Sequence, residues 1–227
     1  MIINQSKKFI FVHIPKTAGS SLTDAFAAYS QIGDLEIGGT PLGESHQWEI
    51  HERFGLHKHS KSYEIAGQLG HEKWNTFFRF AIVRNPYARA YSAYKFLKQW
   101  ADGPCYEWAC KLKDFEEFLS SDEFQARTDL LFHPQSDWIF DPSTNECLIN
   151  FIGKQEQLGE SVSYCLGKLT DARSIEDLPQ MPQLNISSAA GEWINMYSEK
   201  SHLKDLVLKN WEADFDLLKY SKELSNE

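Results

Sequence analysis

Several things are scarce in this chain, and each scarcity closes a class of answer. No stretch approaches the roughly 18 to 20 apolar residues of a membrane-spanning helix. The N-terminal MIINQSKKFIFVHI runs straight into a strand-like segment without a signal-peptide cleavage pattern. The expectation is therefore a cytoplasmic protein with no membrane span, the alternative being the trimmed ectodomain of an anchored enzyme. Cysteine is sparse: Cys105, Cys110, Cys147 and Cys165 in 227 residues form no CxxC pair, which excludes a disulfide scaffold. Free thiols are expected, with Cys105–Cys110 the one local pairing to check. Basic residues are outnumbered, 23 Lys and Arg against 32 Asp and Glu, for a net charge of −9. A polyanion is not drawn to such a surface globally, so a nucleic-acid partner is not expected and any anion site must be local. There is no internal repeat and no low-complexity tract.

What remains is an ordinary globular composition, 42% hydrophobic and 24% charged, with a generous 14% of aromatics. One domain spanning 1–227 is the expectation at this length. FIFVHI over 9–14 reads as a buried strand, and KTAGSS after it opens a helix through Leu22, Ala25, Phe26 and Tyr29. Residues 30–58 have weak periodicity and read as a long surface excursion. A short helix over 61–69 leads to a second strand over 77–83. From Pro86 the spacing of Tyr87, Tyr91, Tyr94, Phe96 and Leu97 is helical. Residues 101–145 are mixed, with a helix near 115–119 and a polar turn at 141–145. LINFI over 148–152 reads as a third strand, followed by a helix over 158–169. A Pro-containing segment over 178–186 precedes an amphipathic region over about 192–218. Strands alternating with helices imply an α/β fold with a central parallel sheet flanked by helices.

Two segments carry chemistry. In HIPKTAGSS a strand ends, a loop of small residues turns and a helix begins, so unsatisfied N–H groups converge on one spot that favours an anion. Lys16 adds a full charge, and Thr17, Ser20 and Ser21 add hydroxyls, which suits a phosphate ester. The Gly of the NTPase loop GxxxxGK[ST] is not followed by Lys here, which weakens a kinase or GTPase reading. Taken alone, KTAGSS is as well explained as a helix cap. The second segment, FAIVRNPYARAYSAY, puts Arg84 at a strand end and Ser92 eight residues on, a little over two helical turns. That spacing permits convergence on one ligand, with Arg84 able to bind phosphate bidentately.

Together HIPKTAGSS and FRFAIVRNPYARAYSAY resemble the two nucleotide-binding signatures of the carbohydrate sulfotransferases that use 3′-phosphoadenosine 5′-phosphosulfate (PAPS), the group with the chondroitin 4-O and the heparan or uronosyl 2-O enzymes and their bacterial relatives. The likeness continues in HPQSDWIFD, LINFIGKQEQL, LPQMPQLNISS and ADFDLLKY, covering almost the whole chain. The resemblance implies a P-loop NTPase-like fold. It implies that Pro15, Lys16, Thr17, Ala18, Gly19, Ser20 and Ser21 hold the 5′-phosphosulfate, and that Arg84 and Ser92 hold the 3′-phosphate. Arg89 also falls on a family position, either orienting the loop or making a helix-surface ion pair. Where the family often carries an Arg before Glu, GKQEQL keeps Glu156 but has Lys154 and Gln155, so that Arg's contact has no counterpart.

The acceptor hydroxyl must lose a proton as its bond to sulfur forms, and neutral imidazole suits the task. His57 and His59 form an HxH pair upstream of the second strand, similar to the one the 2-O enzymes use in catalysis. His59 is expected as the base, His57 as a secondary contact, Lys16 as the cation that meets charge on the leaving phosphate, with His71 and His133 in reserve. His13 reads as a structural or loop-orienting residue. The spacings of His46, His51, His57 and His59 match no common zinc pattern, and no metal is expected. The implied activity is sulfuryl transfer from PAPS, as co-substrate, to a hydroxyl of a glycan or other acceptor. A small-metabolite kinase and a non-catalytic nucleotide-binding relative are the alternatives. An acidic chain favours a neutral or weakly charged glycan, although Arg53, Lys58, Lys61, Lys73 and Arg79 could form a basic edge. Trp48, Trp74, Trp100 and Trp108 could each stack on sugar rings or pack in the core.

Overall fold

The computed structural model describes residues 1–169 and 191–224. The Pro-containing segment over 178–186 therefore lies outside the described residues. In chain order the elements are β1 (Ile2–Asn4), β2 (Phe9–Val12), α1 (Gly19–Ala27), β3 (Leu35–Glu36), α2 (Pro41–Phe54), α3 (Ser62–Leu69), α4 (His71–Trp74), β4 (Phe78–Val83), α5 (Pro86–Leu97), α6 (Tyr106–Lys111), α7 (Phe115–Ser120), α8 (Asp122–Gln125), β5 (Phe151–Lys154), α9 (Leu158–Leu169), α10 (Glu192–Glu199) and α11 (His202–Leu218). Short 3-10 turns occur at Leu130–Phe132, Gln135–Trp138 and Gln155–Gln157. The chain groups into two compact units. The first contains Met1–Val83 and the chain from Asp137 through α9, and the second contains Arg84–Ser136 with α10 and α11.

The first unit is built on a five-stranded sheet of order β3-β1-β2-β4-β5. β2, β4 and β5 run parallel, in register Val12 with Ala81 and Val83 with Lys154, so their carboxyl ends lie side by side. β1 pairs antiparallel with β2 and β3. Alternate residues Phe9, Phe11, Phe80 and Ile82 pack on Leu22 and Phe26 of α1 and on Val162, Cys165, Leu166 and Leu169 of α9. Ile10, Val12, Ala81 and Val83, facing the other way, are equally buried. Burial on both faces is why these strands read as continuous apolar runs rather than as alternation.

Two expectations are corrected. Residues 30–58 are not an excursion, because they hold β3 and the 14-residue α2. Only Gly43 and Ile50 of α2 are buried, so the helix shows no apolar stripe, but its ends are well specified. Thr40 accepts from Gly43 N–H at 2.9 Å, Pro41 occupies the first turn, and Gly55 closes the helix at φ 65°. The third strand starts at Phe151 rather than at 148, because Leu148 N–H donates to Ile139 O and Cys147 bridges Phe140. The amphipathic region over 192–218 is two helices, α10 and α11, separated at Lys200 and Ser201.

The second unit holds about half of the aromatic residues. Tyr87 of α5 packs on Tyr197 and Phe215, at centroid distances of 5.0 and 4.9 Å. Phe118, Phe124, Phe132 and Trp211 form a continuous contact series. All four cysteines are free thiols, so Cys105 and Cys110 are not bridged.

Candidate active site

After β2 the chain leaves the sheet through His13 and Ile14 and turns with two non-glycine residues in the left-handed region, Lys16 at φ 67° and Ala18 at φ 65°. Such conformations cost energy for L-residues and are kept where the surroundings hold them. Left-handed residues spaced in a turn bring successive N–H groups to one concave side, the arrangement that cups anions. Thr17 is buried, and its hydroxyl donates to Ile14 O at 3.0 Å. That hydroxyl closes the loop on itself instead of offering its hydrogen to a ligand.

Ala18 is the N-cap of α1 and provides no side-chain cap, and the first turn holds no acidic residue. The first ladder bond is Leu22 N–H to Ala18 O at 3.2 Å. The N–H groups of Gly19, Ser20 and Ser21 have no acceptor among the described residues. The hydroxyls of KTAGSS therefore do not cap the helix, and the free donors and dipole at its start remain available to an anion.

His13 forms the floor of this loop. It is 3% exposed, its ring lies 5.9 Å from that of Phe11, and a Cβ on Gly19 would fall 2.0 Å from its Cδ2 and Nε2. Glycine is thus required at position 19 for close approach. Burial, followed by nearby positive charge, holds the His13 imidazole well below the usual histidine range, so it is neutral. Its buried Nδ1 has no hydrogen-bond partner among the described residues.

His59 meets the same residue. Its Nδ1 is 2.8 Å from His13 O, and the two rings touch edge to face at 4.6 Å. A carbonyl oxygen only accepts, so Nδ1 carries the proton and Nε2 presents its lone pair. Burial pushes this imidazole down to about 3, against which the His13 carbonyl bond acts in the raising direction. His57 is fixed in the opposite tautomer, because its Nδ1 accepts His59 N–H at 3.1 Å. Burial lowers the His57 imidazole as well. His57 also closes a turn with Ser60 through N–H to Oγ at 2.9 Å and Ser60 N–H to His57 O at 3.0 Å.

Sequence reasoning did not single out what clamps this turn. Trp138 is fully buried, and its Nε1–H donates to His59 O at 2.7 Å, while its own carbonyl accepts from Ser62 Oγ. Lys61 lies over the Trp138 ring, 5.5 Å from its centroid, and pairs with Asp137 at 3.3 Å. The HPQSDW segment was visible as a likeness, but no spacing rule ties Trp138 to a histidine 79 positions earlier.

In the second unit, Arg84 directly follows β4 and precedes Asn85, which caps α5 by accepting from Tyr87 N–H at 3.0 Å and Ala88 N–H at 3.4 Å. Arg84 lies outside the helix that carries Ser92, so counting both around one helical axis does not apply. Ser92 is half-buried on α5. Arg89 is fully buried, which removes the surface ion-pair reading: its Nη1 donates to His133 O at 2.8 Å and its guanidinium lies 4.7 Å from the Trp211 ring centroid.

A strand, an uncapped helix start and a left-handed loop beside a parallel sheet agree with a match to the sulfotransferase family over residues 1–221. The chain belongs to that family. No curated protein matches the chain, and no solved structure does. Membership makes it a transferase for sulfuryl groups with the P-loop-like α/β fold.

Other residues of this sulfotransferase that the sequence put forward are distributed as follows. His71 is exposed on α4, its Nε2 3.1 Å from Asn75 Nδ2, and His133 contributes its carbonyl to Arg89. Of the basic edge, Lys58 pairs with Glu44 at 3.1 Å, Lys61 with Asp137, and Arg79 bonds Asn150 at 2.9 Å while stacking on Trp74. Those three charges are engaged within the fold. Trp74 is buried, whereas Trp48 on α2 is 69% exposed. Among the described residues no group of three or more His, Cys, Asp or Glu is arranged to hold a metal, and no helix is long and apolar enough to cross a membrane.

Proposed function

We propose that this sulfotransferase binds PAPS and transfers its sulfuryl group to a hydroxyl of a carbohydrate acceptor. In this reading residues 15–21 hold the 5′-phosphosulfate, and Arg84 with Ser92 holds the 3′-phosphate. The observation that supports it is that one residue, His13, touches both the loop at Gly19 and His59. Its ring supports the anion-cupping loop at Gly19, and its carbonyl orients the Nε2 lone pair of His59.

The acceptor oxygen attacks sulfur in line with the bond to the 5′-phosphate. As the new S–O bond forms, His59 Nε2 takes the hydroxyl proton, and the bond between sulfur and the bridging oxygen breaks. The electron pair leaves with 3′,5′-ADP, where Lys16 and the N–H groups at the start of α1 meet the developing charge. Burial keeps His59 neutral in the free protein, and the anionic sulfuryl group raises its proton affinity as the proton arrives. His57, with its proton on Nε2, is the secondary contact to the acceptor.

The test is calorimetry with 3′,5′-ADP and with ATP, followed by transfer from radiolabelled PAPS to a panel of glycans. Heat from 3′,5′-ADP, with label on a glycan, is expected. Lys16→Ala should abolish transfer, and His59→Ala should lower turnover about 10²-fold or more while leaving nucleotide affinity within about twofold. Binding of ATP without binding of 3′,5′-ADP would overturn the reading in favour of a kinase. Unchanged turnover in His59→Ala would remove it as the base.

A further inference from the structure

Arg84 occupies an awkward place in the backbone. β4 ends one residue before it and α5 begins two residues after it, so its main-chain N–H and C=O lie between the two elements. Both are satisfied by one side chain. Arg84 N–H donates to Gln135 Oε1 at 2.8 Å, and Gln135 Nε2 donates to Arg84 O at 2.8 Å. A neighbouring strand would grip a residue in the same way.

The gripping amide is itself held. Gln135 is fully buried, and its Nε2 lies 3.2 Å from Asp214 Oδ2. Asp214 also accepts from Gln135 N–H and Ser136 N–H, each at 2.8 Å. The carboxylate is fully buried, with the charge of Arg89 acting against the cost of that burial. Arg89 sits one helical turn beyond Asn85, its N–H bonded to Asn85 O at 2.8 Å. With its oxygen on an N–H and its nitrogen on a carbonyl and a carboxylate, the amide has one satisfied orientation and no useful flip.

We infer that Gln135 is a positioning residue that sets the backbone of Arg84 and thereby the enzyme's selectivity for a nucleotide carrying a 3′-phosphate. The inference rests on the reading of Arg84 as the 3′-phosphate ligand. A fully buried side chain with both polar atoms committed to the main chain of one residue fixes where that residue's guanidinium begins. Gln135 touches no substrate in this scheme and acts only through Arg84.

The experiment compares calorimetric affinities for 3′,5′-ADP and 5′-AMP, which differ by the 3′-phosphate, with folding checked by circular dichroism. Gln135→Met keeps the side-chain volume and removes both hydrogen bonds. It is expected to weaken 3′,5′-ADP about tenfold and 5′-AMP less than about twofold. Arg84→Ala should lose the same preference, and Arg84→Ala combined with Gln135→Met should lose little more, because the second residue works through the first. A folded Gln135→Met protein that retains the wild-type preference, or that loses affinity for both ligands equally, would overturn the inference in favour of a purely structural glutamine. A preference that survives Arg84→Ala would remove the underlying assignment of Arg84 itself, so the two failures are read from different variants. Should Gln135→Met not fold, Gln135→Glu carries the same comparison. It keeps the acceptor for Arg84 N–H, turns a carboxylate toward Asp214 and Arg84 O, and is expected to shift the preference in the same direction.

Discussion

Replacing Gly19 by Ala adds one methyl group, and it falls 2.0 Å from two atoms of the His13 ring and 2.9 Å from a third. Ordinary carbon contacts lie at about 3.5 to 4.0 Å, so the overlap is about 1.5 Å. His13 has little room to yield, being buried against Phe11 and in edge contact with His59. Overpacking of this kind costs about 1–3 kcal/mol, and an overlap this large belongs at the upper end. Against it stands a gain of up to ~1 kcal/mol from exchanging Gly for Ala in a helix. The net expectation is a loss of about 2 kcal/mol, or about 4–8 °C in Tm for a chain of this size. Chemical denaturation of Gly19→Ala, His13→Ala and the double variant isolates the contact. With the ring removed, Gly19→Ala should be neutral or stabilising, giving a coupling of about 3 kcal/mol between the two positions. Additive effects in this cycle, or wild-type stability in Gly19→Ala, would refute the close packing of the loop on His13. The support it lends to the proposed anion site would fall with it.

Trp138→Phe removes the Nε1–H that holds His59 O and leaves a largely buried carbonyl without its donor, a change worth about 1–3 kcal/mol. Turnover is expected to fall about tenfold with nucleotide affinity unchanged, since the clamp acts on the histidine turn and not on the anion loop; steady-state kinetics alongside calorimetry separate the two. Stability should also fall with acidity. His59, His57 and His13 are all held below the ordinary value of 6.5 by burial, so below about pH 6.5 the unfolded chain takes up protons that the folded chain refuses. The His59 contribution destabilises by up to ~1.4 kcal/mol per pH unit and levels off near pH 3. Denaturant titrations at pH 7, 6 and 5 measure this slope, which should flatten in His59→Ala. An unchanged slope in that variant would contradict a buried neutral His59.

Much of the candidate site was legible because its signals are local. A strand ending in small residues and Lys16, an HxH pair, and a strand running into Arg84-Asn85-Pro86 are each confined to a few positions. The helix over 158–169 was legible from its apolar spacing, which matches the face α9 buries against β2 and β4. Helix α2 was not, because only two of its residues face inward and periodicity has nothing to register there. Its ends were specified instead by Thr40, Pro41 and Gly55. The strands β1 and β3 are three and two residues long, too short to show a pattern, and are held by pairing, β1 with β2 and β3 with β1.

The amino-acid sequence by itself determined the family, the alternation of strands and helices, and the residue types able to meet a phosphate or take a proton. Those properties depend on side-chain chemistry and on periodicities of two to four residues. Only the tertiary structure decided that Thr17 turns its hydroxyl inward, that Arg89 is buried, and that His59 carries its proton on Nδ1. It also decided that Gln135 and Trp138 hold the main chain of Arg84 and His59, respectively. Each of these is a hydrogen bond or steric contact between segments distant along the chain, where the partner is chosen by packing and leaves no mark in local spacing.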